Sequence, residues 1–226
     1  MKIAVPFDFD ERFGFFLKED LVKRLLSLNV DIVPLFYCKE SLEKLNATDG
    51  LLIPGGLSDL DPQSYGDSSA HPTTKICKSR TDFEFLVLDQ YIPTRKPILS
   101  LCWGFQMMNV YFKGSLYQHL PEDLDSTIEH EQKAQSHLPT HWVEFQDQSP
   151  GISVFGSKKI FVNSTHHQGV KKLGAGLVCE AKSEDNLIEC VSVRDHPFFW
   201  GVQWHPERLD GDTTIPAFLK ACRPPS

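Results

Sequence analysis

The strongest constraint on the fold is a rhythm in the front half of the chain. Four short apolar runs recur there: "KIAVPF", "VDIVPLFY", "GLLIPGG" and "PILSLC". Between them lie stretches with helical spacing: "ERFGFFLKEDLVKRLLSL", "SLEKL" with Ser41 near its start, and "TDFEFLVLDQYI". In the first, Leu17, Leu21, Leu25 and Leu28 share a face; in the last, Phe83, Leu86, Val87 and Gln90 do, and Phe83, Leu86 and Val87 are expected to pack in the core. Near-continuous apolar runs suit strands covered on both sides, although Pro34 weakens the second one. Alternating strand and helix predicts an α/β fold, with a mostly parallel central sheet flanked by helices and right-handed crossovers. Such sheets carry their sites at the carboxyl ends of strands. Gly55-Gly56 and Cys102 both fall at such ends.

The back half changes character. "HWVEFQ", "KIFVNSTHHQ", "GLVCEAKS", "NLIECVSV" and "FFWGVQWHPE" are short β-rich runs broken by turn formers, which predicts antiparallel additions to the parallel core. No repeat, low-complexity tract or linker divides the chain, so residues 1–226 are expected to form one domain. A chain of this length buries roughly 70–75% of its unfolded surface and needs no staples. Its six cysteines show no C-x-x-C pairing and are expected as free thiols. A net charge of -7 gives no electrostatic reason to hold nucleic acid or an anionic membrane. The apolar runs are too short to span a bilayer, and the start lacks a signal-peptide pattern, so a cytoplasmic location is expected.

The chemistry centres on "PILSLCWGF". Cys102 closes a strand run and opens a helical one. Free cysteine is mostly protonated at neutral pH, and the N–H groups of a helix N-terminus favour its thiolate. A sharp strand-to-helix turn also leaves the Trp103 N–H pointing outward, where it can donate to an oxyanion. Gly104 keeps the turn open, while Ser100 stands where a second small residue is wanted. A nucleophile needs a base, and "GVQWHPE" offers His205 at a strand end. Pro206 stiffens the turn there, and Glu207 is placed to accept from the imidazole and fix its tautomer.

Together "PILSLCWGFQMMNV" and "GVQWHPE" resemble the class I glutamine amidotransferase family, whose core is flavodoxin-like. "LLIPGGLSDLDPQSYG", "GSLYQHL" and "VNSTHHQGV" look like its γ-glutamyl hydrolase branch, peptidase family C26, which includes γ-glutamyl-γ-aminobutyrate hydrolases. The resemblance runs in order along nearly the whole chain. It implies a cysteine-dependent hydrolase that cleaves a γ-glutamyl amide through a thioester, releasing glutamate and an amine. Cys102 matches the nucleophile, His205 the general acid and base, and Glu207 the orienting carboxylate. The N–H groups of Gly56 and Trp103 match the oxyanion hole; Gln106, Ser164 and His166 match residues that line the γ-glutamyl pocket. The resemblance implies no metal, no organic cofactor and a small-molecule substrate. A homodimer is compatible with it. The competing readings are a glutaminase subunit delivering ammonia to a partner synthase, and a non-catalytic relative; the intact triad residues count against the second.

The elbow departs from the branch pattern at Ser100, and at Trp103, where a charged residue is usual. Trp103 and the long polar loop from Leu57 to Lys75 are therefore expected to shape leaving-group choice. Lys113 stands where glycine is common. His137 and His141 have the spacing of one helix face, but Pro139 between them breaks a helix. The segment carrying His130, His137 and His141 therefore reads as a solvated loop rather than a metal site.

Overall fold

The computed structural model describes residues 1–223. Thirteen strands alternate with seven α-helices. The strands are β1 (Lys2–Pro6), β2 (Asp8–Asp10), β3 (Gly14–Phe16), β4 (Asp31–Leu35), β5 (Gly50–Ile53), β6 (Ile98–Leu101), β7 (Ser115–Tyr117), β8 (His141–Phe145), β9 (Lys159–Val162), β10 (Gly169–Lys172), β11 (Leu177–Ser183), β12 (Ile188–Val193) and β13 (Phe199–Val202). The helices are α1 (Glu19–Ser27), α2 (Lys39–Leu42), α3 (Lys78–Tyr91), α4 (Trp103–Tyr111), α5 (Leu120–Asp123), α6 (Gly151–Phe155) and α7 (Thr214–Ala221).

One eleven-stranded mixed sheet runs through the molecule in the order β4-β1-β5-β6-β13-β12-β11-β8-β9, with β10 and β7 branching from β12. The neighbours from β4 to β13 are parallel, and every pairing beyond β13 is antiparallel. The expected parallel core with antiparallel additions is thus observed. Pro34 is tolerated because β4 is the edge strand.

Strand alternation divides the core between the two faces. Ile3, Val5, Leu52 and Leu99 join Leu21 and Leu25 of α1 and Ile215 and Phe218 of α7 on one side. Ala4, Leu51, Ile53 and Ile98 join Val87 and Leu88 of α3 and Phe105 and Met108 of α4 on the other. Each such side chain contributes about 1.5–3 kcal/mol when fully buried. That is why β5 and β6, covered on both faces, carry no exposed residue.

Two local expectations change. The "GFF" segment ahead of α1 is not helical: it pairs as β3 with β2 after a turn at Gly14, whose φ is +73°. On α3 the buried face is not the one centred on Leu86, which is half exposed. Arg80, Phe83, Glu84, Val87, Leu88 and Tyr91 form it, because Arg80 and Glu84 pair one helical turn apart and can go inside together. Lys113 adopts a φ of 67°, which explains why glycine suits that position.

Candidate active site

Cys102 sits between β6 and α4 with φ 48° and ψ -102°. Such a backbone costs about 1–3 kcal/mol and persists only where its surroundings over-determine it. Here the Cys102 N–H donates to Val202 O at 2.8 Å, and the Cys102 carbonyl accepts from Gln106 N–H at 3.0 Å. Gly104 lets α4 press against β5: a methyl group there would lie 2.5 Å from Ile53 O. Ser100 is fully buried in β6 with its hydroxyl unpartnered, and the turn forms with it in place.

β13 pairs in parallel with β6, so the strand end carrying His205 arrives beside the one carrying Cys102. Thiol and imidazole lie close enough for each to shift the other's protonation. Glu207 Oε1 lies 2.7 Å from His205 Nδ1 and fixes that nitrogen as the donor, leaving Nε2 for the sulfur. Burial pushes the Cys102 thiol up, but the charge of His205, its hydrogen bond and Lys18 outweigh this and bring it below its ordinary value. Burial opposes the charge on His205, yet Glu207 and Cys102 raise it to about 9. Glu207, despite burial, is held below the ordinary carboxylate range by His205. Each member of the pair thus favours the charged form of the other.

Among the described residues, the N–H groups of Gly56 and Trp103 make no hydrogen bond within the protein. Both residues line the same cleft as Cys102. Gly56 is required by close approach: a methyl there would lie 1.9 Å from Arg80 Nη1. The fully buried Arg80 props this loop from below. Its Nη2 donates to Pro54 O at 2.9 Å, its Nη1 lies 3.0 Å from Asp8 Oδ2, and its Nε donates to Glu84 Oε1 at 2.9 Å. Asp8 Oδ2 also accepts from Leu57 N–H at 2.9 Å. The Arg80 guanidinium lies 3.9 Å from the centre of the Trp103 ring. That ring is only 2% exposed, so it braces the loop and offers little surface to a leaving group, contrary to its expected part in leaving-group choice.

The cleft has a volume of about 730 Å³, within the range of small-molecule sites. Lys18, Lys75, Lys133 and Arg208 line it against Asp59 and Glu131, a local cationic excess in an acidic protein. The polar loop after β5 forms one wall through Leu57, Ser58 and Pro72–Lys75. His167 lines the cleft too, held by Asp59 Oδ1 at 3.0 Å.

Gln106 reaches the cleft, with its amide donating to Gln168 O at 2.9 Å and Gln203 Oε1 at 3.1 Å. His166 borders the cleft but is 5% exposed, with Nδ1 donating to Gln168 O at 2.8 Å. Burial and neighbouring His130 hold it well below its ordinary pKa, so it is neutral. Ser164 does not line the cleft: it is fully buried and its hydroxyl turns to His166 Nε2 at 2.8 Å. The reading of the His130–His141 stretch as solvated also fails at both ends. His130 is 5% and His141 2% exposed, because both face the interior across β12.

Sequence reasoning passed over Asn163, which is fully buried. Its Oδ1 accepts from His205 N–H at 2.9 Å and its Nδ2 donates to His205 O at 3.1 Å, clamping the His205 backbone. An asparagine directly after the "KIFV" strand was the available signal. Arg80 was also passed over; its signal was an Arg–Glu pair on the apolar stripe of α3.

The fold is shared with glutamine amidotransferases. The glutaminase domain of Trypanosoma brucei CTPS, solved with bound acivicin, superposes with a TM-score of 0.64 over 98% of this chain and 93% of that one, at 16% identity. A glutamine amidotransferase from Thermotoga maritima gives 0.61 over 97% and 81%, at 15% identity. Residues 19–207 match the Peptidase C26 family, and the chain belongs to it. It is 33% identical over 186 residues to the gamma-glutamyl-gamma-aminobutyrate hydrolase PuuD of Escherichia coli K12, covering 77% of this chain and 72% of that one. Among the described residues no helix is long and apolar enough to cross a membrane.

Proposed function

We propose that this chain is a cysteine hydrolase of γ-glutamyl amide bonds. The observation that carries this reading is Cys102, held at a strained strand end beside His205 in a cleft it shares with two residues whose backbone N–H groups are free. The Cys102 thiolate attacks the side-chain carbonyl carbon of the γ-glutamyl group and forms a C–S bond. The developing oxyanion accepts from the N–H groups of Gly56 and Trp103, each donor being worth roughly 3–4 kcal/mol of barrier. His205 gives its Nε2 proton to the leaving nitrogen as the C–N bond breaks, and the free amine departs. His205, now neutral, takes a proton from water, whose oxygen attacks the thioester. The C–S bond breaks, glutamate leaves, and the thiolate–imidazolium pair is restored.

The cationic lining supports a substrate bearing carboxylates, as a γ-glutamyl group does, and an amine product with its own carboxylate fits the same charge. The kinship to the E. coli hydrolase favours γ-glutamyl-γ-aminobutyrate among candidate substrates. The test is a panel of γ-glutamyl amides, glutamine included, with glutamate release measured on the isolated chain. Turnover without a partner protein, and a γ-glutamyl adduct on Cys102 by mass spectrometry, are expected. Cys102→Ala is expected to lose at least ~10³-fold in kcat; full activity in that variant would refute the mechanism.

A further inference from the structure

A second constellation lies behind the cleft wall and takes no part in the proposed reaction. His130 from the segment before β8, His141 at the start of β8, His166 between β9 and β10, and Glu189 of β12 converge on one point. Glu189 Oε1 lies 3.6 Å from His130 Nδ1, 3.5 Å from His141 Nε2 and 3.8 Å from His166 Nε2. Glu189 is fully buried, and neither of its carboxylate oxygens has a hydrogen-bond partner among the described residues. Both ring nitrogens of His141 are buried and unpartnered as well. A buried carboxylate without a hydrogen bond is costly, and such groups are normally hydrogen-bonded or bound to a cation.

The outward nitrogens of two of the rings are already held. His130 Nε2 donates to Asp185 Oδ2 at 2.8 Å, and Asp185 is itself fixed by the Ser126 and Ser183 hydroxyls. His166 Nδ1 donates to Gln168 O. Each contact makes the outward nitrogen the donor and leaves the inward one an acceptor: His166 Nε2 takes the Ser164 hydroxyl at 2.8 Å, and the same hydroxyl lies 3.4 Å from His130 Nδ1. Carboxylate or carbonyl acceptors behind imidazoles are the usual outer support of metal-binding histidines. The atoms of His130, His141 and Glu189 lie within 4.8 Å of one another. A tetrahedral ion with bonds of about 2.0–2.1 Å needs ligand separations of ~3.3–3.4 Å. The contacts of His130 and His141 to Glu189 Oε1, at 3.6 and 3.5 Å, are already close to that spacing.

We infer that His130 Nδ1, His141 Nε2 and Glu189 Oε1 form a structural site for a divalent ion of the zinc class, and that the His166 ring, which lies outside that 4.8 Å group, shifts to bring its Nε2 into the fourth position. Nitrogen and carboxylate donors without sulfur suit such an ion, and four protein ligands leave no open position for chemistry. To bind, His166 Nε2 releases the Ser164 hydroxyl. The ion ties the segment before β8 and the Asn163–Gln168 turn to β12. That turn carries Asn163, the clamp on His205, so the ion stiffens the support of the base without touching the reacting atoms.

The test uses the untagged full chain carrying Cys102→Ala, so that the thiol cannot supply a competing site. Metal content is measured on the protein as purified; the stripped protein is then titrated with cobalt(II) and zinc(II). The site predicts one equivalent of ion, the intense visible bands of four-coordinate cobalt, and a melting temperature that rises with zinc. Glu189→Gln, shown by circular dichroism to be folded, removes the cobalt bands. Asp185→Asn, which leaves every ligand in place, weakens zinc binding ~10–100-fold. Failure of the stripped protein to give four-coordinate bands, or bands unchanged in Glu189→Gln, overturns the inference and leaves a buried histidine–glutamate network only. Should Glu189→Gln not fold, zinc affinity unchanged in Asp185→Asn overturns it equally.

Discussion

Two buried polar clusters flank Cys102, and they are built on opposite principles. Under the β5 loop, Arg80 meets Asp8, Glu84 and the Pro54 carbonyl, so its charge is answered within the cluster. Across the cleft wall, Glu189 meets three imidazoles with no hydrogen bond to either carboxylate oxygen. Burial does not distinguish them, since Arg80, Glu84 and Glu189 are all fully enclosed. What differs is how far each is hydrogen-bonded: Arg80 donates to Glu84 and Pro54, with only its Nη1 and one Glu84 oxygen left over, whereas neither Glu189 oxygen has a hydrogen bond. They also support different parts of the site. The Arg80 cluster fixes the Gly56 N–H, whereas the turn beside the histidine cluster carries the asparagine that fixes His205.

The largest effect is expected at the centre that both clusters serve. Glu207→Gln should lower kcat by roughly 10³–10⁴-fold, because the imidazole loses both its tautomer and its charge partner. The pH profile of kcat/KM sharpens this. In the wild type it rises through the lowered thiol pKa and falls as His205 loses its proton near about 9. A carboxylate stabilises imidazolium, so its removal moves the alkaline limb downward, towards the ordinary histidine value of 6.5. An alkaline limb left in place would separate Glu207 from the base.

Arg80→Met comes next. It leaves Asp8 and Glu84 buried without their cation, which costs about 3–5 kcal/mol in denaturant unfolding. Loosening the Gly56 donor should lower kcat by ~10²–10³-fold with little change in KM. A loss of stability with kcat preserved would make the Arg80 cluster purely architectural. Asn163→Ala removes two hydrogen bonds to the His205 backbone and should cost about 1–3 kcal/mol, with kcat down roughly tenfold. A KM effect instead would move Asn163 to the substrate side. Lys18→Met is the mildest: the thiol loses a cation that favours its anion, so the acid limb of iodoacetamide alkylation shifts to higher pH.

The same contrast governs what could be read from the sequence. That Cys102, His205 and Glu207 come together was legible because they lie at or just beyond strand ends that apolar runs mark out. Nine of the thirteen strands were legible for the same reason, whereas the three- and four-residue strands β2, β3, β7 and β10 were too short for their pattern to show. Arg80 was not, because a charged helical residue reads as solvent-facing until its partners are known. Leu86 was assigned to the core in its place. Asn163 and Glu189 act on groups far along the chain, Asn163 on a residue 42 positions away, and no local pattern encodes such a contact. The antiparallel strands folded His130 and His141 inward, where Pro139 and the polar residues between them had suggested exposure.

The pairing of β6 with β13 has a consequence for how this molecule tolerates change. Thiol and imidazole are spaced by adjoining backbone ladders in one sheet, so surface insertions in the loops should leave that spacing intact. A slip of one residue in either strand would turn every side chain on it to the opposite face. The two reactive groups would then part company while the protein kept its outline, so inactivity without unfolding would be the signature of an error in alignment.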